Sequence, residues 1–226
     1  MQNSIFDILG PIMIGPSSSH TAGAEKIGRV ARIVADGSLK KATFYLHGSF
    51  ANTYKGHGTD KALVAGILGM EADDERIKES LTLAENMDIS VDFIEADLGD
   101  VHPNTVKIVI IKNDGKEVSV IGSSIGGGEI VITKINDDEI EYDGKYPLLI
   151  IKHKDIHGMI SRITGVVAEY GINIATLKVG RQSKGELAST VIETDAIVPE
   201  NAVEKISQLN GINSVRKIDA IGGYHV

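Results

Sequence analysis

"LLIIKHKDIHGMISRITGVVAEYGINIATLKVGR", Leu148 to Arg181, runs through two hydrophobic periods in succession. Leu148–Lys152 is a continuous apolar run and predicts a buried strand. Ile160, Ile163, Val166, Val167 and Tyr170 then recur at helical spacing, and Gly171 ends that helix. Asn173–Val179 alternates as a strand. Moving outward toward the C-terminus, a turn at Lys184-Gly185 precedes a strand over Ala188–Thr194. A helix from Glu200 places Val203, Ile206 and Leu209 on one face and stops at Asn210-Gly211, and Ser214–Ile218 closes as a strand. The order βαββαβ is that of a ferredoxin-like split βαβ unit. Such a frame hosts many unrelated functions, so function must come from particular residues.

Moving outward in the other direction, "YDGKYP", Tyr142 to Pro147, is punctuated by Gly and Pro and predicts a linker. The expected division is a first domain over 1–146 and a second over 147–226, in an α+β chain. Within the first domain, Ile27, Val30, Ile33 and Val34 mark a helix from Thr21 to about Asp36, stopped by Gly37. Lys41–Leu46 predicts a strand, and "HGSFANTYKGHGTD", His47 to Asp60, reads as a glycine-rich turn region before a helix over Thr59–Leu68. Asp73–Met87 reads as a third helix. Strands are expected at Ile89–Ile94 and Thr105–Lys112. Asn113-Asp114-Gly115 is a hairpin signal leading into Glu117–Ile121. Gly126-Gly127-Gly128 interrupts the apolar pattern as a bulge or sharp bend, and a last short strand ends near Tyr142.

Composition narrows the function classes. The chain has 226 residues, 42% hydrophobic and 24% charged, and no apolar run approaches the roughly 20 residues of a bilayer span. No membrane role is expected. The start, MQNSIFDILG, lacks a basic region and carries Asp7, which predicts a cytoplasmic protein with no secretory signal. A net charge of -8 without a Lys/Arg block argues against nucleic acid as a partner. Trp is absent and aromatics are 4%, which disfavours stacking platforms. With no cysteine, the chain has no disulfide, no thiolate nucleophile and no iron–sulfur cluster on its own thiolates.

The densest cluster of chemistry-bearing side chains is Ser17-Ser18-Ser19-His20-Thr21, at the entry to the first helix. A helix N-terminus offers free N–H groups to an anion, and the hydroxyls add donors. A plain cap at Ser19 or Thr21 would need only one hydroxyl. His20 and His57 are of the side-chain type that can titrate near neutral pH, as a proton acceptor must. Lys55 is a candidate for a substrate carboxylate, and Asp60 for orienting His57 or binding substrate. His102 and Asn104 fit a plain turn. A hydrolase built on the serine run lacks an acid/base pair at recognisable spacing.

Two resemblances add to this. Leu148–Arg181, with its Asp155/Gly158 turn, "ISRIT" helix and "GINIATLKV" strand, resembles an ACT domain, the amino-acid-binding regulatory module, and is worded most like that of D-3-phosphoglycerate dehydrogenase. The resemblance implies an effector site at His153, Asp155, Gly158 and Asn173, with Asp155 standing where the pattern has Asn and His157 where it has Pro. "GPSSSHTAGA" (15–24), "GSFANTYKGHGTD" (48–60), "HPNT" (102–105) and "SIGGGEIV" (124–131), in that order, resemble the bacterial iron–sulfur L-serine dehydratases, specifically their β subunit. That family shares its first-domain fold with the allosteric substrate-binding domain of some phosphoglycerate dehydrogenases.

The resemblance implies an α/β complex that converts L-serine to pyruvate and ammonia. A [4Fe-4S] cluster ligated by the α subunit would act as Lewis acid on the serine hydroxyl while a base takes the α proton. It implies catalytic roles for His20 and His57, substrate contacts from Ser17, Ser18, Ser19, Thr21, Lys55 and Asp60, an L-serine-like ligand at the ACT domain, and β–β pairing through ACT domains. The competing class is a purely regulatory amino-acid-binding subunit without catalytic residues.

Overall fold

The computed structural model describes residues 13–15, 17–181, 183 and 185–221. The MQNSIFDILG start, Pro16 of the first motif and Lys184 of the expected turn lie outside them. Two compact units divide after Asp143.

In the first unit a short π-helix, Ser18–Gly23, runs directly into α1, Ala24–Ala35. After β1, Leu39–Leu46, come α2, Gly48–His57, and α3, Thr59–Ile67. A 3₁₀ turn, Glu75–Glu79, leads to α4, Ser80–Asn86. Five strands follow: β2, Ser90–Glu95; β3, Thr105–Lys112; β4, Glu117–Gly126; β5, Glu129–Ile135; and β6, Asp138–Tyr142. They join β1 in a sheet of order β2-β1-β3-β4-β5-β6, in which only the β1/β2 pair is parallel. Phe44, Ile108, Val120 and Ile132 are fully buried, and each such side chain contributes about 1.5–3 kcal/mol of apolar burial.

Three expectations are corrected. The stretch from Gly48 to His57 is a helix, not a turn: its glycines lie at the ends, leaving Ser49–Lys55 free to wind. Gly48 takes φ +54 so that the Ser49 N–H meets Pro103 O at 2.8 Å, and Gly58, at φ +72, stops α2 and starts α3. The Asp73–Met87 helix is broken into the 3₁₀ turn and α4, because Asp74 caps the turn at Arg76 N (2.9 Å) and fixes a tighter start. The Thr21–Asp36 helix begins as a π-helix capped by Ser17, not by Ser19 or Thr21.

α1 and α3 pack backbone to backbone at two glycines. A Cβ on Gly66 would stand 2.2 Å from Glu25 O and 2.8 Å from Gly28 Cα, and one on Gly28 would stand 2.5 Å from Leu63 O. This close approach fixes α1, and the π-helix that runs into it, against α3.

The second unit is the expected βαββαβ unit: β7, Leu148–Lys154; α5, Met159–Glu169; β8, Ile174–Arg181; β9, Leu187–Thr194; α6, Glu200–Ser207; and β10, Ile212–Ile218. Its sheet is antiparallel, in the order β10-β7-β9-β8. Leu149, Ile151, Ile163, Val167, Ile192 and Ile206 form the core between sheet and helices. β8 is an edge strand with Leu177 and Val179 exposed.

Candidate functional site

The four motifs separated along the first domain meet in space. A Cβ on Gly23 would fall 2.0 Å from Ser124 Oγ, and one on Gly48 would fall 2.7 Å from Pro103 O. Thr105 Oγ1 and Ser123 Oγ are hydrogen-bonded at 2.7 Å, and Ser124 N donates to Asn104 O at 3.0 Å. The "HPNT" turn therefore seats the start of α2, and the β4 end of the last motif seats the π-helix. Gly126, Gly127 and Gly128 all take positive φ and form the β4–β5 hairpin tip, where Gly128 O accepts from Lys26 Nζ at 2.8 Å.

His20 lies at the centre, 8% exposed. Its ring is edge-on to that of His57, with centroids 4.7 Å apart and planes at 85°, and edge-on to Phe50 at 5.3 Å. Nε2 faces Thr53 Oγ1 at 3.2 Å and Ser49 Oγ at 3.3 Å; Nδ1 faces Ser17 Oγ at 3.3 Å. The tautomer follows from the partners. Thr53 spends its only hydroxyl proton on Ser49 O, at 2.8 Å, so toward His20 it accepts and Nε2 carries the hydrogen. Nδ1 is then the bare nitrogen and accepts from the Ser17 hydroxyl, whose oxygen also takes the His20 backbone N–H at 3.3 Å. Burial, and secondarily the neighbouring His57, lower the His20 pKa and keep the ring neutral.

Ser49, Thr53 and Phe50 were not singled out in the sequence. Once 48–57 is a helix, Ser49, Thr53 and His57 fall four residues apart on one face, and that spacing was the available signal.

Beside the histidine pair lies a cleft of about 300 Å³ lined by Thr21, His57, Lys55, Lys61 and Lys78 with Gly15, Gly56 and Gly58. Of the expected substrate residues, Thr21 and Lys55 line it, as does His57 of the expected catalytic pair; Ser17, Ser18 and Ser19, all half-buried, and Asp60 do not. Asp60 turns to the Lys61 N–H at 2.8 Å, and burial raises its pKa. Thr21 Oγ1 is buried and has no hydrogen-bond partner among the described residues. Deeper in α1, Glu25 is buried with its pKa pushed up to about 8 by desolvation, against the pull of Arg29 at 3.5 Å.

In the second unit His153, Asp155 and Asn173 of the expected effector set each have a hydrogen-bond partner within the unit, and His153 acts electrostatically on Asp155. His153 is 2% exposed, with Nδ1 donating to Lys154 O at 2.9 Å and Nε2 accepting from Thr190 Oγ1 at 2.7 Å. Asp155 accepts from Gly185 N at 3.1 Å and Arg181 Nη1 at 3.2 Å, which hold its pKa down. Asn173 donates to Asp195 at 2.6 Å, and Gly158, at φ +78, starts α5.

The serine dehydratase beta chain family model matches residues 4–90, and the ACT domain model matches 148–211. The probable L-serine dehydratase beta chain of Bacillus subtilis (strain 168) is 44% identical over 95% of this chain and 97% of its own length. The chain belongs to the L-serine dehydratase beta chain family. The L-serine dehydratase beta chain of Peptoniphilus asaccharolyticus is 41% identical over 96% of this chain and 98% of its own. The D-3-phosphoglycerate dehydrogenase of Methanocaldococcus jannaschii is 28% identical over 87% of this chain but only 37% of its own. In this family member the C-terminal ACT domain is the βαββαβ unit just described.

The chain has no cysteine, and among the described residues no group of three His, Asp or Glu side chains is placed to hold a metal ion. No helix of the described residues is long and apolar enough to cross a membrane.

Proposed function

We propose that the chain is the β subunit of a cytoplasmic iron–sulfur L-serine dehydratase, and that it completes the active site of a separate α subunit that ligates the [4Fe-4S] cluster. The reaction is L-serine to pyruvate and ammonia. The observation that carries this reading is the His20–His57 pair at the edge of a lysine-lined cleft. His57 is exposed and lines the cleft, so it is the ring that meets the α proton of a bound substrate. His20 stays neutral behind it, anchored by Thr53, Ser49 and Ser17, and sets the orientation of the pair. Lys55 and the Thr21 hydroxyl take the substrate carboxylate. The ACT domain senses L-serine or a related amino acid, and β8, with Leu177 and Val179 exposed at the sheet edge, supports β–β pairing.

Anaerobic reconstitution of the α subunit with His57→Ala or His20→Ala β subunit tests the catalytic role. Loss of turnover by about 10²-fold or more is expected for His57→Ala, the scale of a lost general base. Wild-type turnover from both variants, or full activity from the α subunit alone, would leave the chain as a regulatory amino-acid-binding subunit.

A further inference from the structure

The cleft beside His57 is unbalanced in charge. Lys55, Lys61 and Lys78 line it together with His57, and among the described residues no carboxylate does. None of the three ammonium groups forms an ion pair among the described residues. Asp60 accepts from the Lys61 backbone N–H and stands within electrostatic reach of Lys61 and Lys55, one negative charge against three ammonium groups, while Asp74 is paired with Arg76 at 2.6 Å. On the cleft's inner wall the Thr21 side chain is only 2% exposed and its hydroxyl has no partner among the described residues, a buried polar group that a ligand oxygen would satisfy.

An amino acid is a poor match for such a surface. Its carboxylate would neutralise one ammonium, while its own ammonium would enter a field that three lysines keep positive. A doubly charged oxyanion offsets two of the lysines, offers an acceptor to Thr21 and brings no cation. We infer that this cleft, in the chain by itself, is a site for dianionic oxyanions of the class of inorganic phosphate and short dicarboxylates. The group that recognises the amine of L-serine therefore belongs to the partner subunit. The inference rests on the cleft being the substrate's carboxylate site, and it predicts that such dianions compete with L-serine there.

The test uses the full chain alone, with the His57 ring resonances followed by NMR while inorganic phosphate, or separately L-serine, is added. Reading His57 keeps events in the cleft apart from amino-acid binding by the ACT domain. Phosphate is expected to shift His57 saturably and to bind at least about tenfold more tightly there than L-serine, the difference one charge-assisted contact makes. Lys61→Gln with Lys78→Gln weakens phosphate about tenfold on the same scale, while the two arginine substitutions keep it. In the assembled α/β enzyme, phosphate raises the KM for L-serine and leaves kcat unchanged.

L-serine moving His57 at least as tightly as phosphate would overturn the inference, as would phosphate binding unchanged by Lys61→Gln with Lys78→Gln. Full turnover from the His57→Ala complex would instead remove the catalytic reading and leave the phosphate result standing, so the two failures are distinct.

Discussion

The His20 ring stands edge-on to the His57 ring, 4.7 Å away, with its Nε2–H directed at Thr53 Oγ1. Two imidazolium rings at this separation repel, and burial already disfavours charge on His20, so the pair does not readily carry two positive charges.

Thr53 sets the tautomer of that arrangement. Thr53→Val removes the acceptor of Nε2–H and leaves Ser49 as the remaining partner there, so His20 is released to either tautomer. Turnover of the reconstituted complex is expected to fall about tenfold, with ¹⁵N shifts of His20 moving toward a tautomer mixture. An unchanged ¹⁵N spectrum would show that Thr53 does not position the ring.

His20 also makes the fold sensitive to acid. Its folded pKa lies below the unfolded value of about 6.5, so below that pH the unfolded chain binds a proton the folded chain refuses. This contribution to stability is complete above about pH 6.5 and is lost as pH falls toward the lowered folded pKa. Urea midpoints for wild type and His20→Gln should therefore diverge least at pH 7.5 and most at pH 5, once each is referred to its own value at pH 8.

Glu25 acts with the opposite sign. Its folded pKa is about 8, against 4.5 for the free group, so the folded chain keeps a proton that the unfolded chain releases. Stability falls as pH rises from about 4.5 to about 8. Glu25→Gln, neutral at every pH, should be more stable than wild type by about 1–3 kcal/mol at pH 8, a gain limited by the lost attraction to Arg29 and absent below pH 4.5. Equal pH slopes for the two proteins would show that the carboxyl ionises in place.

Much of this was legible in the residues. The second unit followed from hydrophobic period alone, because each of its strands and helices carries one clean pattern from Leu148 to Ile218. The α2 segment did not, since Gly48, Gly56 and Gly58 mimic a turn when the tertiary partner is unseen; Pro103 O, which seats the helix start, is remote in sequence. That one misreading hid Ser49 and Thr53. The lysine cleft was half visible: Lys55 lies within a motif, whereas Lys78 arrives from the 3₁₀ turn through packing that no local pattern encodes.

The Gly28–Gly66 contact fixes where the site's helices sit. Gly66→Ala places a methyl 2.2 Å from Glu25 O, where backbone rather than a flexible side chain must move. Destabilisation of about 3 kcal/mol is expected, with a loss of turnover larger than the unfolded fraction explains, because α3 shifts against the π-helix. Gly165→Ala is the control: its Cβ meets nothing within 4 Å in α5, and the change should stabilise by about 0.5–1 kcal/mol. Chemical denaturation of both variants decides the comparison.

His153 separates a structural from a ligand-binding reading of the ACT domain. Both ring nitrogens are occupied inside the domain, by Lys154 O and Thr190 Oγ1, and Thr190 is fully buried. His153→Ala leaves the Thr190 hydroxyl without its acceptor and opens a cavity in the sheet, so a loss of about 2–4 kcal/mol is expected. Thr190→Val alone should cost about 1–2 kcal/mol, and the double variant less than the sum, since one hydrogen bond is counted twice. Amino-acid binding to Thr190→Val, measured by calorimetry well below its melting temperature, should match wild type if His153 serves the fold. A Kd raised in proportion to the loss of that bond would make His153 part of the effector site, because only a ring that reaches the ligand feels its far nitrogen change.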